Sequence, residues 1–228
     1  IKRGATIKFQ PDPEVKCLFS RVRGIVIVDN IEPDFSIADL PYLTGSSQVI
    51  ASISLKPKEQ IRTKILKKLA DCGPPPYIGI TYQAGGVHAS TLFKRAPTRQ
   101  IGSVLREISA TIISVQRNPR LDELTDVELS AGREIFDFSS MNENLEEALA
   151  LMAILDDYIG VSNTNMHLRA AVGKPAKVLV THPGEFRWQV IGDVSPWFPM
   201  FKLYRQDTDS KWEKAFVELK LDLRNQYG

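Results

Sequence analysis

The chain has 228 residues, 43% hydrophobic and 25% charged, with 29 basic against 27 acidic side chains for a formal charge of +2. That composition suits one large or two small globular domains. The charge is too balanced to argue for nucleic acid, and no such partner is expected; no apolar run reaches the roughly 20 residues that span a bilayer, so no transmembrane segment is expected. Cys17 and Cys72 lack metal-ligand spacing and read as two buried or idle thiols in a reducing, cytoplasmic compartment. His88, His167 and His182 lie far apart, so no metal site is expected. The chain opens at Ile1, not Met, with polar and basic residues and no signal peptide, and reads as a piece of a longer protein.

Apolar alternation predicts a strand over 5–9, a short helix over 13–22, and strands over 24–30 and 34–43. Within 56–73, Ile61, Ile65, Leu66 and Leu69 fall at helical spacing and Gly73 stands at the stop, which predicts an amphipathic helix. The run Gly73-Pro74-Pro75-Pro76-Tyr77 follows. Proline neither continues a helix nor enters a central strand, so this stiff connector reads as a domain boundary.

Beyond it the rhythm is regular. Strands over 77–82, 110–116, 134–138, 157–162 and 176–182 alternate with helices over 98–108, 120–131, 143–155 and 163–173. A short strand over 201–205 and a closing helix over 210–226 complete the chain, with Ser210 expected as N-cap and Glu213 as its box partner. Strand–helix alternation predicts an α/β fold with a parallel sheet covered on both faces. The near-continuous apolar strands fit that burial.

In such sheets ligands bind beyond the carboxyl ends of the strands. The loops selected are 83–94, 116–119, 138–144 and 162–165. Ser162, Asn163, Thr164 and Asn165 precede or open a helix, whose first N–H groups have no partner within it and, with the helix dipole, favour an anion. Simple capping by Ser162 or Asn163 is the bland alternative. His167 falls in the first turn, where its positive form is disfavoured; it either donates to a ligand oxygen or packs under the loop. Gly85 and Gly86 would let the backbone approach a ligand closely, and Lys94 would supply a point charge to a diphosphate. This stretch lacks P-loop spacing and equally suits a surface loop with solvated Lys94 and Arg95. Gln116 and Arg117 end a strand and would read a ribose or base edge, unless they only make the turn before Pro119. The aromatic stretch 183–206, with Phe186, Trp188, Trp197 and Phe198, packs a lid, lines a pocket or fills the core. Arg187 and Arg205 there are expected to pair with local carboxylates.

Several spaced motifs together resemble a family. The run from Asp156 to Trp188, then Ser195-Pro196-Trp197, Arg205-Gln206 and Trp212, is similar to the carboxyl-terminal half of bacterial heptosyltransferase-like glycosyltransferases (glycosyltransferase family 9), often fused behind tetratricopeptide repeats. His167-Leu168, Gly173-Lys174-Pro175 and Arg187-Trp188 match the family form. Residues 80–86 resemble its strand ending in a Trp-x-Gly-type loop, and 115–119 its Leu-Gln-Lys/Arg turn. The likeness is strong over roughly 77–215 and thinner before.

The resemblance implies a GT-B fold, in which two Rossmann-like domains face a cleft. Residues 1–73 would be a remnant of the acceptor-side domain, 74–208 the nucleotide-sugar-binding domain, and 209–228 a closing helix crossing back onto the first. It implies sugar transfer from a nucleotide-sugar donor to a saccharide, lipid-linked or protein acceptor, without metal or cofactor, in the cytoplasm or at the inner face of the membrane. The diphosphate would lie on the helix beginning near Asn163, contacted by Lys94, with His167 orienting the donor and standing as the catalytic candidate. Where the family has Asp-Thr, this chain has Ser162-Asn163, which favours as alternative a non-catalytic domain binding nucleotide or a partner. The family's usual general base would precede Ile1. A nucleotide-sugar epimerase would need cleft carboxylates; Asp137, Glu143 and Glu146 are the nearby candidates, and solvated helix faces account for them.

Overall fold

The structure, a computed structural model, describes residues 6–36, 39, 42–43, 45, 53–84 and 94–228. It separates into two compact units, Ile1–Ala51 and Ser52–Gly228. In the first, β1 (Ile7–Phe9) and β2 (Ile25–Ile27) pair in parallel, with α1 (Lys16–Phe19) between them in the chain. The rings of Phe9 and Phe19 meet at 4.9 Å, and Lys16 pairs with Asp29 at 2.8 Å. The strand expected over 34–43 falls partly outside the described residues, and none of those described there is in a strand.

The second unit opens with α2 (Glu59–Cys72) and continues through β3 (Tyr77–Ile80), the short antiparallel pair β4 (Gln83–Ala84) and β5 (Lys94–Arg95), and α3 (Thr98–Leu105). Then come β6 (Thr111–Ser114), α4 (Leu121–Ala131), β7 (Phe136–Asp137), α5 (Leu145–Ile154), β8 (Asp157–Val161), α6 (Thr164–Ala171), β9 (Ala176–Val180), β10 (Phe201–Arg205) and α7 (Glu213–Tyr227). Six strands form one sheet in the order β10-β9-β8-β3-β6-β7, and every neighbouring pair is parallel. Read from the β7 edge in chain order, this is the 3-2-1-4-5-6 winding of a Rossmann-like fold, whose order reverses between β3 and β8. Every residue of β3, β6, β8 and β9 is buried, as strands covered on both faces must be. One core layer joins Ile78, Ile112 and Ile159 of the sheet to Ile101 of α3, Val127 of α4 and Leu219 of α7.

The domain boundary falls earlier than the proline run suggests. Helix α2 packs against α5, with Ile65 and Leu69 fully buried and Lys64 paired to Glu147 at 3.1 Å, so it belongs to the second unit. The prolines make a tight joint inside that unit, where the Thr111 hydroxyl donates to the Pro74 carbonyl at 2.6 Å and Tyr77 donates to Gly73 at 3.0 Å. Gly73 has φ +152°, and a Cβ there would meet Thr111 Oγ1 at 2.7 Å, so the helix stop depends on glycine.

Two further expectations are corrected at the carboxyl end. The apolar face of α7 (Phe216, Leu219, Leu223) fills the core of the second unit against α3 and β10, where the resemblance has it serving the first domain. Its N-cap is Trp212, because Ser210 is held in a left-handed turn at φ +64° and donates its N–H to Asp207. Cys17 is exposed and Cys72 half-buried, both free. Among the described residues no helix is long and apolar enough to cross a membrane.

Candidate functional site

The switch point between β3 and β8 places two chain turns side by side. After β3 comes Thr81; after β8 come Ser162 and Asn163, followed by α6. Asn163, not Ser162, caps the helix: its Oδ1 accepts from Met166 N at 3.0 Å and from the Tyr158 hydroxyl at 3.2 Å, while Nδ2 donates to Thr81 Oγ1 at 2.8 Å. Thr81 and Tyr158 hydroxyls lie 2.8 Å apart. Burial foremost, against the pull of these hydrogen bonds, pushes the Tyr158 hydroxyl up to about 12, so it stays a neutral donor. Gly160 makes room for this cluster. An alanine there would drive its methyl into Thr81, and Gly160→Ala is expected to cost about 2 kcal/mol of stability, read as a lowered urea midpoint.

Around this anchor a charged group assembles from three segments. Lys94 from β5 reaches Glu185 Oε1 at 3.3 Å, and Arg187 approaches the same oxygen at 3.7 Å. The Trp188 indole donates to Glu185 Oε2 at 3.1 Å, and the buried Ser162 hydroxyl nearby favours the ionised carboxylate. Burial pushes the Glu185 carboxyl upward, but these hydrogen bonds and the Lys94 and Arg187 charges outweigh it and hold it below the usual carboxylate range. Arg187 Nη1 lies 2.9 Å from His167 Nε2. A guanidinium only donates, so Nε2 accepts and the imidazole proton sits on Nδ1. Burial first, then the Arg187 charge, lower the His167 pKa to about 4 despite the pull of Glu185. A group so acidic is a poor general base near neutrality, so His167 suits orientation better than proton abstraction.

The residues expected in the site divide accordingly. Lys94 pairs with Glu185 and is not solvated, Ser162 is buried and favours the ionised Glu185, and His167 joins the group through Arg187. Asn163 and Asn165 serve the fold: the Asn165 amide donates to Val115 O at 3.2 Å and to Asn142 Oδ1 at 2.9 Å. Gln116 is buried and spent on the loop, accepting from Tyr82 N and Gln83 N at 3.0 Å and donating to Gln83 O at 3.1 Å, so it has no free edge for a base. Arg117 and Thr164 are exposed. Gly85 and Gly86 lie outside the described residues. Glu146, expected on a solvated face, is buried and paired with Lys58 at 3.3 Å. Arg205 donates to the carbonyls of Trp188, Gln189 and Gly192 where a carboxylate was expected.

Sequence reasoning did not single out Thr81, Tyr158 or Glu185. Their only sequence signal is position: a polar residue just past a buried strand, a tyrosine within one, and an acid two residues before the Arg187-Trp188 pair already matched. The aromatic stretch is both core and wall. Trp188 is buried against Phe198 at 5.0 Å and Phe201 at 6.4 Å, and Phe198 presents its ring to His167 at 5.5 Å.

Fold and site thus define a Rossmann-like α/β domain with a cationic, partly buried polar cluster at its switch point. No protein-family profile matches the chain. It is similar to Protein FlbA of Caulobacter vibrioides, at 24% identity over 161 residues that make up 69% of this chain and 26% of that protein. The chain therefore spans about a quarter of the length of this curated relative.

Proposed function

We propose that the second unit binds the diphosphate of a nucleotide sugar and, within a GT-B glycosyltransferase, serves metal-independent sugar transfer to a hydroxyl acceptor. The observation that carries this reading is the convergence of Lys94, Arg187, the Ser162 hydroxyl and a neutral His167 beside the N-terminus of α6. A departing nucleoside diphosphate gains negative charge as the glycosidic bond to it breaks, and fixed cations and donors aimed at that charge lower the barrier. Lys94 and Arg187 supply charge, the helix start supplies backbone donors, and His167 Nδ1–H orients the donor. The 3-2-1-4-5-6 winding and the family resemblance support the same placement.

A calorimetric panel of UDP, GDP, ADP and CMP with their sugars tests this reading. One nucleotide is expected to bind, and Lys94→Ala is expected to weaken it about tenfold through loss of one charge-assisted contact. Absence of binding to every member would remove the donor-site reading. Ser162, standing where the resembling family carries aspartate, favours a second reading: a domain that retains nucleotide binding without turnover. Binding with no sugar transfer in the longer protein would select it.

A further inference from the structure

We propose that Glu185 is a resident counter-anion that occupies the diphosphate position of the unliganded site and must withdraw before a ligand phosphate is seated. This rests on the reading of the cluster as a diphosphate site. The carboxylate sits where an anionic ligand's oxygens would sit. It takes an ion pair from Lys94 at 3.3 Å, a second from Arg187 at 3.7 Å and the Trp188 indole N–H at 3.1 Å, and the nearby Ser162 hydroxyl favours its ionised form. These contacts come from three separate segments, and they are the donor types that hold a phosphate oxygen.

The chain around Glu185 allows the exchange. It lies in the 181–200 connection between β9 and β10, which crosses between parallel strands with only a three-residue 3-10 turn, Phe186–Trp188. Long connections without regular structure are where ligand-responsive segments concentrate. The turn is anchored by Trp188 in its aromatic cluster and by the Trp188 N–H donating to Glu185 O at 2.9 Å. Rotation of the Glu185 side chain leaves both anchors intact. A cleft of about 470 Å³, lined by Thr181, His182, Gly184, Glu185, Gln189 and Arg205, adjoins the loop and gives the departing carboxylate room.

Competition makes a signed prediction. A ligand anion entering the wild-type site must break the carboxylate's contacts with Lys94 and Arg187, which a neutral amide would hold only weakly. The test is calorimetric titration of inorganic pyrophosphate into the 228-residue chain, Glu185→Gln and Lys94→Ala, with thermal midpoints checking that each is folded. Glu185→Gln is expected to bind pyrophosphate about tenfold more tightly than wild type, and Lys94→Ala more weakly than either. Equal or weaker binding by Glu185→Gln, with wild type still binding, overturns the proposal: Glu185 would then be organising the cations, and the diphosphate site would stand. No binding by any of the three chains overturns both readings.

Discussion

Replacing Arg169 by alanine is expected to cost the second unit about 4 kcal/mol, a large share of the stability of a typical domain. Arg169 is fully buried on α6, yet it has no carboxylate partner within hydrogen-bonding distance among the described contacts; its fork serves carbonyls. It donates to Met152 O at 2.5 Å, Leu155 O at 2.7 Å, Pro175 O at 2.8 Å and Asp156 O at 2.9 Å. These carbonyls lie at the end of α5 and at the two turns that enter β8 and β9, and Leu155 O also accepts from Lys174 Nζ at 3.1 Å. Without the guanidinium, the carbonyls of Met152, Asp156 and Pro175 lose this partner and Leu155 O keeps only Lys174 Nζ, at about 1 kcal/mol or more for each lost bond. Burial lowers the Arg169 pKa to about 10, so it remains charged at neutral pH. Lysine keeps the charge but not the planar fork, so Arg169→Lys is expected to recover only part of the loss. Urea unfolding of both variants measures this. A cost under about 1 kcal/mol for the alanine variant would mean that water satisfies the carbonyls and that the fork is dispensable.

The second large effect is a loss of stability with acid that His167→Gln removes. The folded-state pKa of His167 is about 4, against 6.5 for the free side chain. Between those values the unfolded chain binds the proton and the folded chain does not. Stability therefore rises with pH through this window, is fully present above about 6.5, and is lost as pH falls toward 4. The shift corresponds to about 3 kcal/mol, since each pKa unit is about 1.4 kcal/mol. The groups facing the ring are Arg187, Glu185, Lys94 and Phe198, and the two cations oppose its protonation. Glutamine still accepts from Arg187 and does not titrate. The difference between wild-type and His167→Gln unfolding free energies, followed from pH 7 to pH 4, isolates this group from every other titrating residue. A difference independent of pH would show that the imidazole ionises freely in the fold.

Much of the architecture is legible in the chain itself. The alternation of apolar runs and amphipathic stretches over 77–182 determines a parallel α/β unit, because strands buried on both faces must be apolar throughout and helices covering them must be apolar on one face. The break after β8 also determines where a helix starts, and Asn163 caps it. Lys94, Ser162 and His167 carry their chemistry visibly, and the loop rule for such sheets places them together.

Other features are decided only by tertiary contact. Helix α2 looks like the end of one domain beside a proline linker, yet Ile65 and Leu69 need a partner surface, and α5 provides it. The closing helix has an apolar face that any neighbouring surface would satisfy; the core beside α3 and β10 takes it. Gln116 and Asn165 carry the same amide groups whether they read a ligand or tie down a loop. The choice depends on backbone groups such as Val115 O and Gln83 O, which are distant in sequence and present in every residue type. Glu185 is the sharpest case. An acid in an aromatic loop is unremarkable in the chain, and only folding brings Lys94 from β5 and Trp188 onto its two oxygens, with the Ser162 hydroxyl from the end of β8 favouring their charge. Periodicity reports which faces are buried; it carries no record of which polar groups meet across the switch point, because those pairings are set by the winding of the sheet.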